Sequence, residues 1–152
     1  FSDSGKAVRF AEEDVRPMGR EARGVRGMML DPAQSVISML VAKGEEQSVL
    51  TATENGFGKR TAIAEYTRHG RGTKGMIAIQ ASDRNGKLIG AVLVSDSDEL
   101  MLISTGGVLI RTLVQDIREM GRSTQGVTLI NLDDGTKLAG MEKIIETDEE
   151  QE

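Results

Sequence analysis

Glycine and arginine recur along this chain at a fixed interval of 51 residues. Gly5, Gly56 and Gly107 share one column of that register, and Arg9, Arg60 and Arg111 share another. Three more columns hold Gly19, Gly70 and Gly121, then Arg20, Arg71 and Arg122, then Gly24, Gly75 and Gly126. With 18 glycines in 152 residues, a triple glycine in one aligned column is roughly a 0.2% event, so three such columns at one offset mark a true internal repeat. Apolar positions keep the same offset: Val25, Met76 and Val127, or Met28, Ile79 and Ile130. A chain made of three copies of one unit must fold as an array in which each copy buries its apolar face against the next.

Within a copy the pattern is strand and turn throughout. In the second copy, residues 49–53 form an apolar run rich in β-formers, Glu54-Asn55-Gly56 supplies a turn, and residues 59–64 alternate. A glycine-rich loop over residues 69–75 leads to a third strand at 76–80. Asp83-Arg84-Asn85-Gly86 reads as a type I′ hairpin turn into a fourth strand at 88–94. The third copy repeats this with strands at 100–104 and 127–130, a turn at Gly106-Gly107 and a second hairpin at Asp133-Asp134-Gly135. Residues 12–15 and 115–120 are each expected to form one helical turn. Four strands per copy is the content of a propeller blade. The expected fold is therefore all-β, a propeller-like open arc with about eleven strands and almost no helix, since three blades fall short of the roughly four to eight that close a ring. The copies span 1–48, 49–99 and 100–145, with an acidic, disordered tail expected at 146–152. The first copy lacks its opening strand and residue 1 is Phe, so the chain is expected to be part of something longer.

Aromatic residues make up only 3% of the chain, so its core must rest on Val, Ile, Leu, Met and Ala. There is no Cys, which excludes disulfides and thiolate metal sites and fits a cytoplasmic location. No apolar run approaches the roughly 18 residues of a membrane span, and no signal-peptide pattern opens the chain. The net charge of −5 is unevenly placed: residues 142–152 alone sum to −5, while residues 1–141 hold 18 acids and 18 bases. A neutral body can present a basic face if the signs are segregated.

The loop between second and third strands carries the functional signal. Its copies run over residues 18–24, 69–75 and 120–126, and each contains Gly-Arg, three variable residues and Gly. The bracketing glycines, Gly19 and Gly24, Gly70 and Gly75, Gly121 and Gly126, permit a tight turn and close approach of another backbone. Arg20, Arg71 and Arg122 supply a fork of donors suited to phosphate. Arg16, Arg23 and Arg26 lie near the first loop, Arg68 and Lys74 near the second, and Arg118 beside the third. With Arg9, Arg60 and Arg111 they make a periodic set of cations along one edge, as a curved duplex requires. The alternative is that the glycines only shape turns and the arginines are only solvated. Residues 70–75 also satisfy G-x-G-x-x-G, but a strand follows where dinucleotide binding needs a helix N-terminus. His69 is the only histidine and stands where the sister loops have Met18 and Met120, so it reads as a semi-buried loop residue. No nucleophile–base pair, metal cluster or nucleotide loop is legible, so neither catalysis nor a cofactor is expected of these residues. Few aromatics also argue against base stacking and towards duplex phosphates.

The loops resemble the repeated box of the C-terminal domain of the A subunit of bacterial DNA gyrase. The resemblance is carried by Val15-Arg16-Pro17-Met18-Gly19-Arg20, Gly24-Val25-Arg26-Gly27, Ile117-Arg118-Glu119-Met120-Gly121-Arg122 and Gly126-Val127, and it extends over the whole chain. It implies a β-pinwheel, a six-bladed propeller variant with strands exchanged between neighbours, of which this chain is the last three blades and tail. It further implies a module that wraps double-stranded DNA, whatever its sequence, around a basic rim. In the parent heterotetramer of gyrase A and B subunits, an ATP-dependent type II topoisomerase, such wrapping supports negative supercoiling, with ATP and Mg²⁺ bound elsewhere. The catalytic tyrosine of that enzyme lies in another domain, and Tyr66 does not correspond to it. The family's box, Gln-Arg-Arg-Gly-Gly-Lys-Gly, is absent, and residues 69–75 match it only in part. The related domain in the A subunit of topoisomerase IV is more degenerate, and the regular loops favour gyrase. A protein-interaction propeller is the alternative from another class, though the absence of Trp removes the signature of its commonest family.

Overall fold

The computed structural model describes residues 1–145, and the expected tail at 146–152 lies outside them. Among the described residues nine strands form three sheets: β1 (Lys6–Ala7), β2 (Ser48–Thr53), β3 (Phe57–Ala62), β4 (Met76–Ile77), β5 (Leu88–Val94), β6 (Glu99–Ser104), β7 (Leu109–Leu113), β8 (Val127–Thr128) and β9 (Leu138–Lys143). The sheets run β1-β4, β5-β2-β3-β8 and β7-β6-β9, all antiparallel and all open. Among the described residues there is no α-helix, only three 3₁₀ turns at Glu12–Asp14, Ile63–Glu65 and Val114–Asp116. These stand one repeat apart, so the expected helical turn exists in every copy, including the second, where no cue in the residues marks it.

The short strands after the second and third glycine-rich loops pair with the preceding repeat. Met76 lies opposite Ala7, and one repeat later Val127 lies opposite Gly58. Hydrogen bonds extend the joint: Ala78 N donates to Gly5 O and Leu129 N to Gly56 O, each at 2.8 Å. A Cβ on Gly5 would sit 2.6 Å from Ile79 O, and one on Gly56 2.6 Å from Ile130 O, so these turns must be glycine to let the next repeat approach. The sheet of the second repeat thus has four strands, the fourth given by the third repeat.

Fewer strands form than the eleven expected because a strand needs a partner to satisfy its backbone. In the first repeat only β1 forms; no strand equivalent to β2 exists there for residues 37–43 to pair with, and Met39 and Val41 are 86% and 64% exposed. The two expected hairpins also differ. β4 pairs with β1 and β5 with β2, so residues 83–86 form a crossover. A type I′ turn needs positive φ at two successive residues, whereas Gly86 is left-handed (φ +70°) and Asn85 is not. Asn85 is instead buried, its Nδ2 donating to Gln80 O (2.8 Å) and Gln125 O (2.9 Å). At residues 133–136 Gly135 alone takes positive φ, and the turn closes by Thr136 N donating to Asp133 O at 3.0 Å.

The core lies between sheets. Ala7, Val49, Ile63, Tyr66, Ala78 and Ala91 join the first repeat to the second. Leu50, Val94, Leu100, Val114 and Ile117, then Ala52, Leu102, Ile130 and Leu138, join the second to the third. All six residues of β2 are buried because β3 and β5 flank it and neighbouring sheets cover both faces. Each fully buried Val, Leu or Ile contributes about 1.5–3 kcal/mol, so these aliphatic clusters hold the repeats together with little aromatic help.

Candidate nucleic-acid interface

Each later glycine-rich loop bonds to the segment that follows the loop before it. Met29 N donates to Thr73 O (2.8 Å) and Gly72 N to Gly27 O (2.9 Å), tying the second loop to the strand-like segment that follows the first. One repeat on, Gln80 N donates to Thr124 O (3.2 Å). The closing glycines Gly24, Gly75 and Gly126 all take positive φ, +82° to +87°. A Cβ on Gly126 would lie 2.5 Å from Gly58 O, and one on Gly75 would press on Ala7 O. The opening glycines differ: Gly19, Gly70 and Gly121 are not left-handed, and a Cβ added to either of the first two would meet nothing within 4 Å.

The arginine columns divide by partner. Arg9 reaches forward to the 3₁₀ turn of the second repeat, its Nη1 donating to Ile63 O (3.1 Å) and Tyr66 O (2.9 Å), and its Nη2 pairs with Glu45 at 2.9 Å. Arg60 repeats this, with Nε donating to Ile117 O at 2.7 Å and Nη1 pairing with Asp96. Arg111 pairs with Glu99. The loop arginines reach backward. Arg71 Nε donates to Asp14 O (2.9 Å) and Nη1 to Arg26 O (3.0 Å). Arg122 Nε donates to Glu65 O (3.2 Å) and Nη1 to Ile77 O (2.7 Å). Arg71 and Arg122 are therefore half-buried clasps across the joints, each keeping donors to spare from its fork of five.

Arg20, in the same column, is exposed and makes no hydrogen bond or ion pair among the described residues. The same holds for the side chains of Arg16, Arg23, Arg26, Arg68 and Arg118. Lys74 pairs with Asp31 at 3.1 Å, both exposed. These free arginines concentrate around the first loop, with Arg68 and Arg118 at the feet of the second and third. Acidic neighbours Glu12, Glu13, Asp14 and Glu21 are exposed at the first loop too, so the basic character is local. His69 is exposed, contrary to the semi-buried position expected, and its backbone N–H donates to Arg9 O at 2.8 Å.

Two cations went unnoticed in the sequence. Arg84 lies 4.0 Å above the centre of the Phe57 ring and donates to Gln125 Oε1 and Gly126 O, each at 3.3 Å. Lys59 is fully buried and donates to carbonyls of the third loop. Both break the 51-residue columns, which is the signal they lacked. Burial raises the Tyr66 phenol above its ordinary range, so Tyr66 is a core residue. Among the described residues no His, Cys, Asp and Glu group could hold a metal ion, and no helix is long and apolar enough to cross a membrane.

These features define an array of propeller-like repeats that exchange strands with their neighbours and carry one Gly-Arg loop per repeat, the later two bonded to the repeat before. The family model of the DNA gyrase C-terminal domain, a beta-propeller, matches at residues 1–43, 47–95 and 98–144, and the chain belongs to that family. It is similar to the A subunit of DNA gyrase from Pseudomonas aeruginosa, 52% identical over 96% of this chain and 16% of that protein. It is 45% identical to the same subunit of Escherichia coli K12 over its whole length and 17% of the relative, so it spans about a sixth of the curated relatives it matches. Among solved structures it resembles a DNA gyrase A C-terminal domain, with a TM-score of 0.85 at 30% identity over 95% of this chain and 49% of that one. It also resembles a DNA topoisomerase IV C-terminal domain, with a TM-score of 0.87 at 25% identity over 94% of this chain and 45% of that one.

Proposed function

We propose that this chain is a DNA-binding and DNA-wrapping module of a gyrase A subunit, without catalytic chemistry of its own. The observation that supports the reading is the set of six exposed arginines, Arg16, Arg20, Arg23, Arg26, Arg68 and Arg118, in and beside the glycine-rich loops, whose side chains make no hydrogen bond or ion pair among the described residues. Phosphates fix the position of a duplex and carry no sequence information directly. A row of cations spaced by repeats can therefore hold any sequence and favour a curved path that meets more of them. Its partners would be double-stranded DNA, the remainder of the gyrase A subunit, and the B subunit in a heterotetramer. ATP and Mg²⁺ would act elsewhere in that assembly, located in the cytoplasm. Bending duplex around this row would bias strand passage towards negative supercoiling. The curated relatives it matches at 45–52% identity are gyrase A subunits, which supports gyrase over its paralogue.

The test is a salt titration of binding to two unrelated duplexes. The slope of log K against log salt should reach up to about −5, at roughly 0.9 for each of the six arginines, and should agree between the sequences. Binding that ignores salt, or no binding to duplex at low salt, would refute the reading.

A further inference from the structure

Lys59 is a buried charge that the exposed arginines do not explain. It sits on β3 between Gly58, which pairs with Val127, and Arg60, which clasps the next 3₁₀ turn. Its side chain is fully buried and ends inside the third loop. Its Nζ donates to Gly121 O (2.7 Å), Thr124 O (2.9 Å), Thr124 Oγ1 (3.1 Å) and Arg122 O. The loop also closes on itself there, Thr124 Oγ1 donating to Gly121 O at 2.8 Å and Thr124 N donating to the same carbonyl at 3.3 Å. The equivalent positions in the other repeats are Val8 and Ile110, so the second loop has no such lysine beneath it. Three carbonyls on one ammonium both neutralise the negative ends of their dipoles and fix the backbone around them.

We propose that Lys59 is a positioning residue for duplex binding: its ammonium gathers the carbonyls of Gly121, Arg122 and Thr124 and thereby sets the third loop in the shape that meets phosphate. The proposal rests on the DNA-binding reading above. Lys59 touches no DNA itself; it acts through the loop that carries Arg122 and follows Arg118. Burial lowers its pKa to about 8, with the Glu65 carboxylate opposing that shift and the Arg122 guanidinium adding to it. Glu65 comes from the second 3₁₀ turn and Arg122 from the loop, and they are the charged groups that face it. An ammonium has three donors for the four oxygens around it; a neutral amine has two and no charge. As pH rises through about 8 the hold on residues 121–126 therefore slackens. The loss is local, because giving up a buried charge does not weaken the fold as a whole.

The experiment uses the full chain, wild type and Lys59→Met. Backbone amide resonances are followed by NMR from about pH 6.5 to 9.5, and the salt slope of duplex binding is measured over the same range. In the wild type the amides of residues 121–126 should shift together with a midpoint near pH 8, while residues 70–75, with Val8 beneath them, should not. Across that midpoint the salt slope should become shallower by about 0.9 for each phosphate the loop releases. Lys59→Met should show the shallow slope at every pH and no shared midpoint. If that variant does not fold, the wild-type titration decides alone. Loop amides that stay still through pH 8, or a slope that is constant while they move, would overturn the positioning role. Absence of duplex binding at every pH would instead overturn the DNA reading, and with it the ligand assigned to the loop, whatever the amides do.

Discussion

Arg20, Arg71 and Arg122 occupy one column of the repeat, yet alanine should affect them in opposite ways. Arg122 makes two charge-assisted bonds to carbonyls of the preceding repeat, at 3.2 and 2.7 Å. Such bonds contribute about 1.5–3 kcal/mol each when well buried. The side chain is half-exposed, and water can replace part of what is removed, so the pair together should be worth about 1.5–3 kcal/mol. For a chain of this size, at roughly 2–4 °C per kcal/mol, that lowers Tm by about 3–12 °C. Arg71, with bonds at 2.9 and 3.0 Å, should behave alike. Arg20 makes no hydrogen bond or ion pair among the described residues, so Arg20→Ala should leave Tm within about 1–2 °C and instead make the salt slope of duplex binding shallower by about 0.9. Thermal melts followed by circular dichroism, paired with salt titrations on one duplex, measure both effects. Equal Tm losses for Arg20→Ala and Arg122→Ala would refute the division of this column into one free arginine and two clasps.

Gly126→Ala should destabilise by several kcal/mol, since its Cβ would meet Gly58 O at 2.5 Å in a left-handed residue, whereas Gly70→Ala, with open space around it, should be nearly neutral; urea midpoints compare them. Lys59 holds its proton less tightly folded (about 8) than unfolded (about 10.5), so the unfolded chain binds more protons between those values and stability should rise with pH from 8. Tyr66, raised by burial, works the other way above its ordinary value of 10, so denaturation curves should place maximum stability near pH 10. A stability that falls steadily from pH 8 to 10 would count against the buried lysine. Removing residues 146–152, which keeps Glu142 and Lys143 in β9, should strengthen duplex binding at low salt by taking away acidic competition for the arginines.

The repeat was legible because glycines and arginines in fixed columns reflect backbone joints that recur. Gly75 and Gly126 could be read as turn residues, and the structure adds that a neighbour's carbonyl stands where their Cβ would be. What the sequence left open was direction. An arginine beside a loop looks the same whether it faces solvent, as Arg20 does, or bonds to the previous repeat, as Arg71 does. The Asn85-Gly86 pair signals a left-handed glycine but not whether the flanking strands pair with each other, and here they pair elsewhere. Lys59 and Arg84 were hidden because each serves a single joint and leaves no column to read.

The exchanged strands also bear on how such an array changes length. The second and third repeats lend a short strand backward, and the first and second lend a turn forward, as Val127 against Gly58 and Gly56 against Ile130. The two faces of a repeat are therefore complementary to each other, and any repeat offers its successor what its predecessor offered it. Duplication or loss of one whole unit would rejoin matching faces, with no new packing solution required. The contour of duplex served by the loops could then grow or shrink in steps of one repeat, and divergence would be free to act on the loop cations while the joints stayed fixed.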